Sequence, residues 1–151
     1  MAEFNPAKKP FEIPDRFNDD GTVIPAYRPL LCLDFDGVIH SYTSGWQGAD
    51  VILDPPVPGA MQFIAEAVND FHVAVFSSRS NQPGGMKAMI QYMQTSLAAE
   101  YPYHAKAVFE QIEWPLEKPA AFVTLDDRAI TFDGTWPAID MLKNFKPWNK
   151  R

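Results

Sequence analysis

Three short, mostly apolar runs stand out along the central part of this chain, at residues 30–33, 72–76 and 121–125. Runs of about four to eight such residues, bounded by turn-forming residues, are typical of buried strands. Two further runs, at 107–112 and 129–132, are also predicted to be strands. The apolar pattern therefore predicts a sheet.

Helical repeats separate these strands, because apolar residues recur at positions i, i+3, i+4 and i+7, which share one helical face. In the segment that begins at Pro58, these positions hold Met61, Ile64, Ala65 and Val68. In the segment after Gly84, the apolar residues are Met86, Met89, Ile90, Met93 and Leu97. A last short helix is predicted over 137–143. The alternation predicts an α/β fold with a central, mostly parallel sheet and right-handed crossovers.

Two segments lie outside this alternation. Residues 1–29 contain five prolines, which disfavour both helix and sheet, so we expect an extended N-terminal arm with one short strand at 22–24. Residues 40–57 form a long irregular stretch that carries glycines, aromatic residues and prolines. We expect this stretch to be a small flap on a single domain that spans 30–151.

Composition narrows the class of protein. The chain has 151 residues, of which 46% are hydrophobic, and a net charge of -6, which argues against non-specific binding to nucleic acid. Its one cysteine, Cys32, excludes an intrachain disulfide and a cysteine-rich zinc site. No apolar run is long enough to span a membrane, and no signal peptide is recognisable. We therefore expect a cytoplasmic protein with no membrane partner.

Polar side chains follow the three principal strands. Asp34 and Asp36 come directly after the first strand, and Ser77 follows the second. The third strand is followed by Asp126 and Asp127. The carboxyl ends of parallel strands meet at one edge of a sheet, where ligands bind in open α/β proteins. Clustered carboxylates repel one another unless a cation or a shared proton relieves them, and Mg²⁺ prefers oxygen ligands. The sequence therefore predicts a magnesium site at this edge.

These motifs, taken in order, resemble those of the haloacid dehalogenase superfamily of magnesium-dependent phosphatases and phosphotransferases. The first is Asp34-Phe35-Asp36-Gly37-Val38, the second is an apolar strand ending at Ser77, the third is Lys118, and the fourth is the strand ending at Asp126-Asp127. Four ordered motifs are more specific than any one of them alone. The resemblance implies a three-layer, Rossmann-like fold. The short spacings between the motifs leave room for a flap but not for a large cap domain.

The resemblance also implies roles for individual residues. Asp34 would be the nucleophile that forms an aspartyl-phosphate, and Asp36 would be the general acid and then the general base. Mg²⁺ would be held by the Asp34 carboxylate, the Asp36 backbone carbonyl and one acid of the pair Asp126-Asp127, with Asp126 preferred. Ser77 and Lys118 would bind the phosphoryl group. The acid at Asp36 favours phosphoester chemistry over carbon–halogen cleavage.

The substrate is less well defined by the sequence. A site without a cap would admit bulky phosphorylated substrates, such as nucleotides or nucleic-acid ends, and Asp126-Asp127-Arg128 is similar to a motif of end-healing enzymes. Trp46 could stack on a base or pack the flap, and Arg79 could contact phosphate or form an ordinary surface ion pair. The further candidate contacts are Ser78, His40 and Arg128. The alternative is a non-catalytic phosphate- or metal-binding module on the same fold, and the oligomeric state is left open.

Overall fold

The computed structural model describes residues 16–17, 19–24 and 27–151. Its strands are β1 (Arg16–Phe17), β2 (Val23–Ile24), β3 (Leu30–Leu33), β4 (His72–Val75), β5 (Ile112–Glu113) and β6 (Val123–Leu125). Its helices are α1 (Ala60–Ala67), α2 (Gly85–Glu100), α3 (Ala105–Phe109) and α4 (Ile139–Lys143), followed by a 3-10 helix (Trp148–Lys150). None of the described helices is long and apolar enough to cross a membrane.

The central sheet has four parallel strands in the order β5-β4-β3-β6. Strand β3 is central, and Leu31 lies opposite Val73 of β4 on one side and opposite Val123 of β6 on the other. The three principal strands predicted from the apolar runs are all present, and β3 lies between β4 and β6. The prediction of an α/β fold with a parallel sheet is confirmed, and the carboxyl ends of β3, β4 and β6 lie side by side.

The hydrophobic core lies between one face of the sheet and the helices. Leu31 and Leu33 point to this face because they are two residues apart on a strand, and both are buried. The predicted apolar face of α1 is buried in full, at Met61, Ile64, Ala65 and Val68. Helix α2 contributes the buried side chains of Met89, Met93 and Leu97. Each large apolar side chain buried in this way contributes about 1.5–3 kcal/mol to folding.

The close approach of α2 to the loop after β4 depends on glycine. A Cβ atom at Gly85 would overlap the backbone carbonyl oxygen of Arg79, and Gly84 has a φ of +76° and packs on Asp50 of the flap. The start of α2 is therefore in direct contact with both Arg79 and the flap. These contacts fix the loop that carries the polar residues after β4.

Several predicted elements are corrected by the structure. Residues 107–112 are not one strand: α3 covers Ala105–Phe109 and only Ile112–Glu113 are in β5, because Ala105 and Ala107 favour helix and the Val108 amide bonds to the His104 carbonyl. The predicted strand at 129–132 does not form, since the outer edge of β6 has no partner strand among the described residues. The last helix begins at Ile139, two residues after Pro137.

The segments outside the sheet agree in part with expectation. The short strand expected at 22–24 is present as β2, which pairs antiparallel with β1, while most of the predicted arm lies outside the described residues. The stretch 40–57 contains no regular strand or helix. It returns on itself through the bond from the Ser41 amide to the Pro55 carbonyl, 3.0 Å long, so it forms a loop-like flap.

Candidate active site

Three carboxylates converge at the carboxyl edge of the sheet. Asp34 follows β3, whereas Asp126 and Asp127 follow β6, and one oxygen of each lies within 4.8 Å of the others. The strands are joined at this point, because the Asp34 amide donates to the Leu125 carbonyl at 3.0 Å. This is the one such cluster of potential metal ligands in the described part of the chain. The predicted convergence of Asp34 with both acids of the fourth motif is present.

The pKa of Asp34 reflects the closeness of the three carboxylates. Burial and the hydrogen bond shared with Asp127 raise the pKa of Asp34 to about 8, and the charges of Asp126 and Asp127 act in the same direction. The bond from the Phe35 amide to Asp34 Oδ1, 2.8 Å long, opposes the shift only partly. A divalent cation would relieve the same repulsion, and three carboxylate oxygens are donors that suit Mg²⁺. The residues present therefore fit a magnesium ion.

Gly37 is required for the approach of Asp127. Its φ is +80°, in the left-handed region, and a Cβ atom there would overlap Asp127 Oδ2. The glycine of the first motif thus does two things: it turns the chain after Asp36, and it leaves room for a carboxylate of the cluster.

Asp36 stands apart from the carboxylate cluster. Its Oδ1 lies 2.9 Å from His40 Nδ1, and its Oδ2 accepts a hydrogen bond of 2.9 Å from Arg79 Nε. Burial alone would raise the pKa of Asp36, but the hydrogen bonds from His40 and Arg79 outweigh burial and lower it. The Asp36 side chain is consequently held as a carboxylate, pointing to a pair of donors rather than to the metal candidates.

His40 is fully buried, and its hydrogen bonds define its tautomer. Nε2 lies 3.1 Å from the Asp54 amide, which always carries a proton, so Nε2 is the acceptor and Nδ1 carries the proton that is given to Asp36. Asp54 in turn accepts two bonds from Ser44, one of 2.8 Å from the amide and one of 2.6 Å from the hydroxyl. His40 therefore connects Asp36 to the flap and does not face solvent.

Arg79 is also fully buried, at 0% exposure. Its Nη1 donates to the carbonyl oxygens of Gly48, Ala49 and Val51, at 2.9, 2.8 and 3.1 Å. Its guanidinium carbon lies 4.7 Å from the ring centroid of Trp46. In this structure the guanidinium is directed at Asp36 and the flap, and Trp46 covers it. The predicted contacts of Arg79 and Trp46 with substrate remain predictions.

The other predicted residues surround the cluster at different depths. Ser77 is buried, and its Oγ accepts a bond of 3.2 Å from the Arg79 amide, so its own proton can be donated elsewhere. Ser78 is exposed. Arg128 Nε lies 3.9 Å from Asp127 Oδ2, with its side chain 63% exposed. Arg128 thus marks the rim of the carboxylate cluster.

Lys118 is exposed, and it forms no hydrogen bond or ion pair with the described residues. The charge of Lys118 nevertheless acts on groups at the end of β3. Burial raises the pKa of the Cys32 thiol, two residues before Asp34, while Lys118 lowers it and Asp34 and Asp126 raise it. Lys118 is therefore within electrostatic range of the end of β3, although its expected role in binding phosphate remains a prediction.

Two residues to which the sequence analysis assigned no role at the site also support it. Asp54 lies beneath His40, and Trp148 Nε1 donates to the Gly37 carbonyl. Tyr42, which lies in the flap, adopts a φ of +60°, unlike every other non-glycine residue that the structure describes. No pattern in the sequence connects Asp54 or Trp148 to the first motif, because Asp54 contacts His40 across 14 positions of irregular chain and Trp148 contacts Gly37 across 111 positions.

No known protein family, curated protein or solved structure was found to match this chain. The assignment of a function therefore rests on the geometry of the site and on the motifs themselves.

Proposed function

We propose that this protein is a magnesium-dependent phosphomonoester hydrolase that acts through an aspartyl-phosphate on Asp34. The observation that carries the proposal is the convergence of Asp34, Asp126 and Asp127 at the carboxyl edge of a parallel sheet. Ser77, at the end of the neighbouring strand, supports it as a hydroxyl donor for phosphate oxygens. We also propose that the α/β fold is of the Rossmann-like haloacid dehalogenase type.

The chemistry would proceed in two displacements. In the first, an oxygen of Asp34 attacks phosphorus, the bond from phosphorus to the leaving oxygen breaks, and Asp36 gives that oxygen a proton. In the second, Asp36 takes a proton from water as the water oxygen attacks phosphorus, which releases phosphate and restores Asp34. Mg²⁺, held by Asp34 and the Asp126-Asp127 pair, would neutralise charge on the phosphoryl oxygens when bound. Ser77 would orient the same oxygens.

The environment of Asp36 favours its role as a base in the second step over its role as an acid in the first. The bonds from His40 and Arg79 lower its pKa, so the free enzyme holds it as a carboxylate, ready to accept a proton from water. An arriving phosphoryl dianion is a like charge, and a like charge nearby favours the protonated form of a carboxyl group. Substrate binding would therefore shift Asp36 toward the acid that the first step needs.

The substrate proposed is a bulky phosphomonoester, such as a nucleotide or a phosphorylated nucleic-acid end. Between Asp36 and Ser77 the chain forms only the flap, α1 and β4, and between Ser77 and Lys118 it forms only α2, α3 and β5. None of these described segments makes a separate domain that could cover the site. An uncovered site leaves space for a large leaving group.

The decisive experiment is a phosphatase assay with and without Mg²⁺, on phosphomonoesters that include 3′- and 5′-phosphorylated oligonucleotides. Asp34→Asn is the test variant, and Asp133→Asn is the control, since Asp133 is an exposed acid whose side chain accepts a bond only from the nearby Thr135 amide. Magnesium-dependent turnover that Asp34→Asn abolishes and Asp133→Asn retains would support the proposal. The same preparations would be tested for release of phosphate by a coupled colour reaction, which does not depend on the leaving group.

A non-catalytic binding module is the second candidate, and one observation favours it. Both carboxylate oxygens of Asp36 are already bonded to buried partners, which leaves fewer lone pairs for proton transfer. A binding module would take up Mg²⁺ and phosphate in calorimetry with no turnover of any substrate. Loss of that binding in Asp34→Asn would then assign the cluster to binding alone.

A further inference from the structure

Arg79 is the largest fully buried side chain among the described residues. A buried guanidinium is costly unless its charge and its donors are satisfied. Here the charge is met by Asp36, at 2.9 Å from Nε, and one terminal nitrogen is satisfied by three carbonyls of the flap. The second terminal nitrogen, Nη2, has no partner in the described structure. An apolar side chain in place of Arg79 would fill the same space without the free-energy cost of removing a charge from water.

The two sets of contacts face different parts of the site. Nε holds the carboxylate of the first motif, whereas Nη1 holds the backbone of residues 48–51, and Trp46 lies over the guanidinium plane. The backbone of Arg79 is itself fixed, because α2 packs directly against its carbonyl at Gly85. One side chain thus joins the flap, the loop after β4 and the carboxylate of Asp36.

We propose that Arg79 is a positioning residue, which sets the orientation of the Asp36 carboxylate and couples that orientation to the position of the flap. The inference rests on the proposed phosphatase function, since it assigns Asp36 a direction toward a leaving oxygen. His40 holds the other carboxylate oxygen, so removal of Arg79 leaves Asp36 bonded at one oxygen and free to rotate. Lysine cannot replace Arg79, because an ammonium group lacks the planar fork that serves Asp36 and the flap together.

Misplacement of Asp36 should lower kcat to an extent that depends on the leaving group, whereas a general structural defect should lower kcat equally for all substrates. Protonation of the leaving oxygen matters most for a poor leaving group, such as an alkoxide, and least for a good one, such as 4-nitrophenolate. Loss of a positioned general acid lowers rates by roughly 10²–10⁴-fold where proton transfer is needed. We therefore expect Arg79→Lys to lower kcat on an alkyl phosphate about 100-fold, and on 4-nitrophenyl phosphate less than about 10-fold.

The experiment measures kcat and KM for both substrates with the wild type, Arg79→Lys and Asp36→Asn. The matched control is Arg28→Lys, because Arg28 is a partly buried arginine that donates to a carbonyl, that of Val68 at 2.8 Å, on the side of the fold away from these motifs. Hydrogen exchange at the Ser44 and Val51 amides, both bonded within the flap, provides a second measurement. Arg79→Lys is expected to speed exchange at these amides, and Arg28→Lys is not.

The supporting result is a loss in Arg79→Lys that depends on the leaving group, as it does in Asp36→Asn, together with faster exchange in the flap. An equal loss of kcat on both substrates in Arg79→Lys, or no loss, would overturn the inference. Magnesium-dependent turnover by the wild type would still support the proposed function in that case. If the wild type hydrolyses neither substrate nor any other phosphomonoester, the proposed function fails, and the inference fails with it.

A second variant covers the case in which Arg79→Lys does not fold. Trp46 is 46% exposed and stacks on the guanidinium without bonding to Asp36. Trp46→Ala should therefore fold, loosen Arg79, and lower kcat on the alkyl phosphate several-fold more than on 4-nitrophenyl phosphate. Equal effects on the two substrates in Trp46→Ala would contradict the inference.

Discussion

Trp148 and Gly37 are joined by a hydrogen bond of 2.7 Å, from the indole Nε1 to the backbone carbonyl oxygen, across 111 positions of sequence. The neighbouring Asn149 donates to the Ser41 carbonyl at 3.2 Å. The 3-10 helix near the end of the chain therefore braces the loop that follows Asp34 and Asp36.

The bond from Trp148 to Gly37 should contribute to stability. Phenylalanine keeps an aromatic ring but lacks the donor, so Trp148→Phe is expected to lower the free energy of unfolding by about 1 kcal/mol. The control is Trp136→Phe, because Trp136 is 84% exposed and contacts the ring of Phe132 at a centroid distance of 4.8 Å. That control should change stability by less than about 0.5 kcal/mol. Urea denaturation followed by circular dichroism compares the two, and equal losses would count against a brace.

A methyl group at Gly37 should disrupt metal binding. Gly37→Ala introduces a Cβ atom that overlaps Asp127 Oδ2, whereas Gly45→Ala has a similarly positive φ, +70° against +80°, with nothing within 4 Å. Both variants should lose about 1–2 kcal/mol of stability from the left-handed backbone. Only Gly37→Ala should also lose Mg²⁺ affinity, by at least about 10-fold, since displacing a residue that ligates a metal or orients its ligands costs about 10- to 100-fold. Calorimetric titration with Mg²⁺ measures the difference, and unchanged affinity would show that Asp127 is not needed.

Local patterns accounted for the parts of the fold that depend on neighbours in sequence. The apolar face of α1 and the three principal strands follow from periodicity, and the placing of Asp34 and Asp126 at one edge follows from parallel pairing. Residues 107–112 were misassigned because a run of this length, with alanine and valine together, is compatible with helix or strand. The predicted strand at 129–132 failed because it needed a neighbour at the edge of β6 that the local sequence does not specify.

The supporting network of the site was beyond the reach of such patterns. Arg79 is separated from Asp36 by 43 positions, and its flap carbonyls lie 28 to 31 positions away. Sequence reasoning gave Arg79 only exposed roles, in a substrate contact or in a surface ion pair, because the flap that buries it has no periodic signal. Similarly, His40 was named for its position near the first motif, while its bond to Asp54 depends on how residues 40–57 fold back.

His40 offers a test of the buried network that is independent of activity. In His40→Phe, Asp36 Oδ1 loses its donor in a partly buried setting, and the Asp54 amide loses its acceptor in a buried one. Each unsatisfied buried group costs about 1–3 kcal/mol, so we expect the two together to lower the free energy of unfolding by about 2–6 kcal/mol. His72→Phe is the control, since His72 is exposed on β4, and it should be nearly neutral. A small loss in His40→Phe, comparable with the control, would mean that water satisfies both groups.

The raised pKa of Asp34 makes the stability of the metal-free protein depend on pH. Its folded-state pKa of about 8 lies above the ordinary value of 3.8, because burial and Asp127 favour the protonated form. A group with a raised pKa contributes its stabilisation fully below the unfolded-state pKa, and that stabilisation is lost as pH rises through the folded-state pKa. The metal-free protein should therefore become less stable between about pH 4 and pH 8 on account of this group.

Magnesium should reverse this loss, because the cation takes the place of the shared proton and binding releases that proton. We expect the rise in Tm caused by Mg²⁺ to be larger at pH 9 than at pH 6, at constant ionic strength. Thermal unfolding in Mg²⁺ and in EDTA at the two pH values measures it. Asp34→Asn should remove the effect at both, while Asp133→Asn should keep it. An equal rise in Tm at pH 6 and pH 9 would show that Asp34 does not exchange its proton for the metal, and the cluster would then have to bind Mg²⁺ through Asp126 and Asp127 alone.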